Sequence, residues 1–93
     1  MKVQEVEIYS DASNFAVMRH PGRKFPGALI QGDTLYTLCV AADEACAAAQ
    51  RAGCDDAFEE INDVRNALWE RLNHYTEVLT EHGLPIPFSR TVV

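Results

Sequence analysis

Hydrophobic and polar positions alternate at the start of the chain. Val6 and Ile8 interleave with Glu5, Glu7 and Tyr9, a period of two that predicts a strand within the first ten residues. Ser10 to Asn14 (SDASN) is rich in turn formers. Phe15, Ala16, Val17 and Met18 then read as a second strand, so residues 3–18 are expected to form a hairpin. The next segment, RHPGRKFPG at 19–27, holds two Pro-Gly pairs within seven residues and marks a loop. Ala28 to Gln31 is short and apolar, which suits a third strand, and Gly32-Asp33 ends it.

From there the period is helical. Asp33 is placed to accept the first unpaired backbone N–H groups as an N-cap. Leu35, Leu38, Cys39, Ala42, Cys46 and Ala49 share one face at about 100° per residue. Tyr36, Val40 and Ala47 form a second stripe. Two stripes made mostly of Ala and Cys predict a helix over 33–52 held between two neighbours, with Gly53 just past its end. Asp55 or Asp56 is expected to cap the next helix, Asp56 with Glu59 resembling a capping box. Phe58, Ile61, Val64, Leu68, Leu72, Tyr75 and Leu79 give that helix, 56–82, a broad apolar face. Gly83 stops it, with Pro85 and Pro87 beyond. FSRTVV, residues 88–93, is either a closing strand or a tail. The expected fold is α+β in a single domain over 1–93. It has a small antiparallel sheet of three strands, four with the tail, and two helices packed on one face, in the order βββαα(β).

Composition narrows the class. The 47% apolar and 24% charged residues are ordinary for a globular domain, which argues against disorder. No apolar run approaches the roughly 20 residues of a membrane helix, and MKVQEVEIYS lacks the apolar core of a signal peptide. A cytoplasmic protein with no membrane association is expected. The net charge of −6 opposes direct binding of nucleic acid and suits a basic protein partner. Three cysteines without a C-x-x-C do not make a disulfide framework.

FPGALIQGDTL, residues 25–35, resembles the segment of HicB-type antitoxins in which a Pro-Gly, four residues and Gly-Asp-Thr/Ser lead from a third strand into a helix. Pro26, Gly27, Gln31, Gly32, Asp33, Thr34 and Leu35 sit where that pattern wants them. The hairpin with an aromatic at Phe15 fits as well. HGLPIPFS, residues 82–89, is similar to the Gly-x-Pro-Ile-Pro stretch that follows the helix in that family. The resemblance covers residues 3–38 and 82–89 and is shared with uncharacterised small bacterial proteins. It implies a partial RNase H-like fold and a non-enzymatic protein that binds and masks a small ribonuclease toxin. Many such antitoxins also carry a DNA-binding domain. The chain differs in a longer loop before Phe25, in an inserted second helix, and in ending at Val93 without such a domain.

Two charged clusters and one aromatic residue are the candidate partner-binding sites. Arg19, His20, Arg23 and Lys24 lie within six residues in a Gly-containing loop, where an anion or an acidic patch could dock. The alternative is a solvated loop. Glu59, Asp63, Glu70, Glu77 and Glu81 fall within about 40° of arc on the second helix, an acidic ridge of about 30 Å. That ridge suits a basic protein surface, or is the solvated back of an amphipathic helix. Trp69, about 90° from the centre of the apolar face, is either a contact anchor beside Asn62, Asn66 and Asn73 or a cover for the core edge. Cys39 and Cys46 read as small core residues. Cys54 precedes a helix N-terminus but has no base nearby in sequence. No metal spacing, cofactor motif or catalytic motif stands out, so neither a cofactor nor an enzyme activity is expected. Three readings remain open: HicB-like masking of a small basic protein, an anion or small-ligand sensor built on the 19–24 loop, and a dimerising structural module.

Overall fold

The computed structural model describes residues 1–89. Its elements are β1 (Glu7–Ser10), β2 (Phe15–Arg19), β3 (Gly27–Ile30), α1 (Gly32–Arg51) and α2 (Asp55–Glu81). The three strands form one antiparallel sheet in the order β1-β2-β3. The fold is therefore α+β with the order βββαα, as the periodicity predicts. Of FSRTVV, Phe88 and Ser89 are irregular, and the rest lies outside the described residues. The chain divides into two compact units, the sheet of Met1–Gln31 and a helical unit from Gly32 onward.

Within the sheet, β2 pairs with β3 from Phe15↔Ile30 to Met18↔Gly27. On the other side Glu7 faces Arg19 and Ile8 faces Met18, but Ser10 faces Val17. Tyr9 is thus an extra residue, a β-bulge. Two sequence expectations shift here. β1 starts at Glu7, leaving residues 1–6 outside the ladder, and β2 runs one residue past Met18, which takes Arg19 out of the loop and into the sheet.

The helical unit is an antiparallel hairpin. Gly32, Leu35, Cys39, Cys46 and Ala49 of α1 and Leu72 of α2 are buried. Most of the other apolar-face residues are half-buried, and two are exposed, Leu38 at 40% and Val64 at 58%. Leu38 lies about 75° from the centre of the buried α1 stripe and Val64 about 80° from Leu72, outside the narrow line of contact between two helices.

Gly53, at φ +67°, closes α1 in a Schellman motif. Its N–H donates to the Gln50 carbonyl at 3.1 Å, and that of Cys54 to the Ala49 carbonyl at 3.0 Å. Gly83 ends α2 the same way, through Thr80 and Leu79. The motif after α1 also corrects the expected cap of α2. Cys54 belongs to the turn and is already the N-cap residue, with no side-chain cap bond. Asp55 and Asp56 therefore fall inside the first turn, where the positive end of the helix dipole favours them. Asp33 likewise sits inside α1, which starts at Gly32, and its carboxylate accepts the Thr34 N–H at 2.9 Å.

Gly32 carries more than a strand ending. It is buried, and a Cβ placed there would lie 2.2 Å from Cζ of Tyr75. The ring of α2 rests directly on the α1 backbone, a close approach that only glycine permits.

Candidate functional site

Glu59, Asp63, Glu70, Glu77 and Glu81 are all exposed on α2. Asp55 and Asp56 in the first turn extend the same side. The two cations of α2 point elsewhere. Arg71 lies about 100° and Arg65 about 140° from the ridge centre. Arg71 donates to the Ala67 carbonyl at 2.9 Å, and an Arg65 guanidinium nitrogen lies 3.8 Å from Oδ1 of Asp43 on α1. Among the described residues, the ion pairs are Arg19–Glu7 and Arg65–Asp43, so no ridge carboxylate is neutralised. The charge is also unevenly spread along the chain. Residues 1–31 hold four Lys/Arg and three Asp/Glu, a net +1. Residues 32–93 hold four and eleven, a net −7, which together give the −6 of the whole.

Of the four candidate residues of this segment, Arg19, His20 and Arg23 line one cleft and Lys24 does not. Arg19 donates to Oε1 of Glu7, its neighbour across the ladder, and the Tyr9 hydroxyl donates to Oε2 at 2.7 Å. The bulge brings Tyr9 to that carboxylate. Arg19 and then Tyr9 hold the Glu7 carboxyl below its usual range, and hydrogen bonding to Glu7 raises both Arg19 and Tyr9. The Arg23 N–H donates to the His20 carbonyl at 3.1 Å, closing a turn with Pro21 second and Gly22 third at positive φ, as a type II turn requires. Lys24 turns onto the Phe25 ring, 5.4 Å from its centroid. The cleft beside this loop, about 490 Å³, is lined by Glu5 and Glu7 as well as Arg19, His20 and Arg23. Its charge is mixed rather than cationic.

Trp69 is half-buried, and its indole N–H donates to Oδ1 of Asp43 at 3.0 Å. Its ring meets Tyr36 edge-on at 6.4 Å. Tyr36 in turn stacks on Phe88, centroids 4.4 Å apart and 6° from parallel, and its hydroxyl donates to the Ser89 carbonyl at 3.3 Å. Trp69 therefore belongs to an aromatic seam that covers the edge of the hairpin. The seam also pins the segment after Gly83 back onto the helices. That return creates a groove at the end of α2, lined by Thr76, Glu77, Thr80, Glu81, Ile86 and Phe88. Sequence reasoning did not find this groove. The only local signal is the Gly83-x-Pro85-x-Pro87 spacing, which keeps the segment extended.

Cys39 and Cys46 are buried and Cys54 is exposed. No group of three His, Cys, Asp or Glu converges as a metal site among the described residues. No helix among them is long and apolar enough to cross a membrane. No curated protein and no solved structure matches the chain. Residues 1–88 match a family of unknown function, DUF6959, and over that span the chain belongs to it.

Proposed function

We propose that the protein is a non-enzymatic binding module that captures and masks a small basic protein in the cytoplasm, as its resemblance to HicB-type antitoxins implies. The observation that carries this reading is the acidic face of α2, whose carboxylates have no ion-pair partner among the described residues. Glu59–Asp63 and Glu77–Glu81 are like-charge pairs four residues apart. Such pairs each oppose the helix by a few tenths of a kcal/mol. A basic surface laid along the ridge relieves that repulsion, speeds encounter and blocks whatever it covers. The mixed charge around the 19–24 loop gives the anion-sensor reading less support.

The test is co-purification with the tagged protein from its own cells at low and moderate salt. A small basic protein is expected in stoichiometric amount, released by salt, and lost when Glu59, Glu70 and Glu77 are changed to Lys. Changing Arg23 and Lys24 to Ala should leave capture intact. Capture that survives the ridge reversal would refute the reading. A second reading, a homodimer joined edge to edge, draws on β1 and β3, which among the described residues each pair on one side only. A monomer by sedimentation equilibrium would remove it.

A further inference from the structure

We infer, resting on the masking reading, that the groove at the end of α2 receives one long cationic side chain of the partner, arginine or lysine. The groove is open, about 550 Å³ in volume. One wall is two successive turns of α2, with Thr76 and Glu77 on the first and Thr80 and Glu81 on the second. The other is Ile86 and Phe88. That second wall is held in place, since Phe88 stacks on Tyr36 and Tyr36 bonds the Ser89 carbonyl.

Three features select the occupant. The polar surface offers acceptors. The Thr76 hydroxyl already donates to the Asn73 carbonyl at 2.9 Å and the Thr80 hydroxyl to the Thr76 carbonyl at 2.8 Å. Their oxygens keep lone pairs, and Glu77 and Glu81 add two carboxylates. Among the described residues, an anion entering there meets no free side-chain donor, whereas a guanidinium or ammonium finds several acceptors. Secondly, the last turn of α2 holds no basic residue of its own to balance the negative end of the helix dipole. Thirdly, Ile86 is 43% exposed and supplies, with Phe88, an apolar wall beside the carboxylates. Arginine and lysine match this pairing, with a methylene stem that buries against apolar surface and a charged head that does not. Aspartate, glutamate or phosphate has neither part. A plain aliphatic side chain would use the wall and leave the carboxylates unpaired.

The experiment is an NMR titration of the isotope-labelled full chain with acetyl-arginine methylamide, and with the neutral citrulline analogue of the same shape. Saturable shifts are expected at the amides of Thr76 to Glu81, Ile86 and Phe88, and citrulline should bind at least about tenfold more weakly. Ile86→Ser leaves the net charge unchanged and should weaken the arginine probe about tenfold, as should Glu81→Gln. Glu44→Gln, on α1 and outside both the ridge and the groove, should not. Equal binding of citrulline, shifts spread evenly from Glu59 to Glu81, no saturable shifts, or an Ile86→Ser variant that binds normally would each overturn the anchor. Ridge reversal reads the masking function separately. If it abolishes capture while Ile86→Ser does not, masking stands and the anchor falls.

Discussion

Gly32→Ala sets two effects of opposite sign against each other. Gly32 does not have a positive φ, so alanine fits the backbone. In an ordinary helical position alanine is more stable than glycine by up to about 1 kcal/mol. Here the added Cβ would sit 2.2 Å from Cζ, 2.3 Å from the hydroxyl oxygen and 2.4 Å from Cε1 of Tyr75. Comfortable contact begins at about 3.5 Å. Gly32 is backbone, buried and fixed by α1, so the ring must leave. Surrendering the packing of a half-buried tyrosine costs about 1.5–3 kcal/mol. Subtracting the full propensity gain leaves a net loss of about 0.5–2 kcal/mol, and each kcal/mol lowers Tm by roughly 4–8 °C in a domain of this size. Urea unfolding followed by helical circular dichroism reads it. In a Tyr75→Leu background the clash is relieved, and alanine should become neutral or stabilising, a coupling of about 0.5–3 kcal/mol. A Gly32→Ala single variant more stable than the parent would refute the contact.

Trp69→Phe keeps a ring against Tyr36 and removes the donor to Asp43. The expected loss is about 1–2 kcal/mol by urea midpoint, since the acceptor is a carboxylate. No change would mean the bond is unimportant to the hairpin. Glu7 is held below its usual range when folded, so its contribution is complete above the unfolded value and disappears as pH falls through the folded one. Amide protection across β1 and β2 should therefore fall in acid, below the ordinary carboxylate range, and Glu7→Gln should remove that part of the fall. An unchanged acid limb in the variant would refute it.

What could be read in advance was what short-range order decides. The period changes from two to 3.6 between Ile30 and Leu35, and the α1 boundary falls there. Gly53 and Gly83 were legible because a helix that ends in a left-handed residue favours glycine. The acidic ridge was legible because one straight helix preserves angular spacing over its whole length. The rest depended on partners distant in sequence. Arg19 joins β2 because Glu7 stands opposite, and the bulge at Tyr9 completes that pair. Leu38 and Val64 look like core by apolarity alone, but each lies off the line along which the two helices meet. Trp69 had two readings until Asp43 was seen beneath its N–H. Gly32 read as punctuation because nothing local shows Tyr75 above it. The groove needed Tyr36, Phe88 and the end of α2 together.

The ridge sets stability against binding, and that opposition separates a functional surface from a solvated one. Glu59–Asp63 and Glu77–Glu81 repel along the helix. Asp63→Lys with Glu81→Lys would turn both into pairs with the acid four residues ahead of the base, the favourable order for the helix dipole. Two repulsions vanish and two attractions appear, worth roughly 1–2 kcal/mol together at low salt. If the face only meets water, the double variant gains stability and loses nothing. If it is a docking surface, the same variant melts higher and captures its partner less, because the attractions that stabilise the free helix replace those offered to a basic protein. A thermal melt and a capture assay on one variant decide it: higher melting with full capture would leave the ridge a solvated helix back.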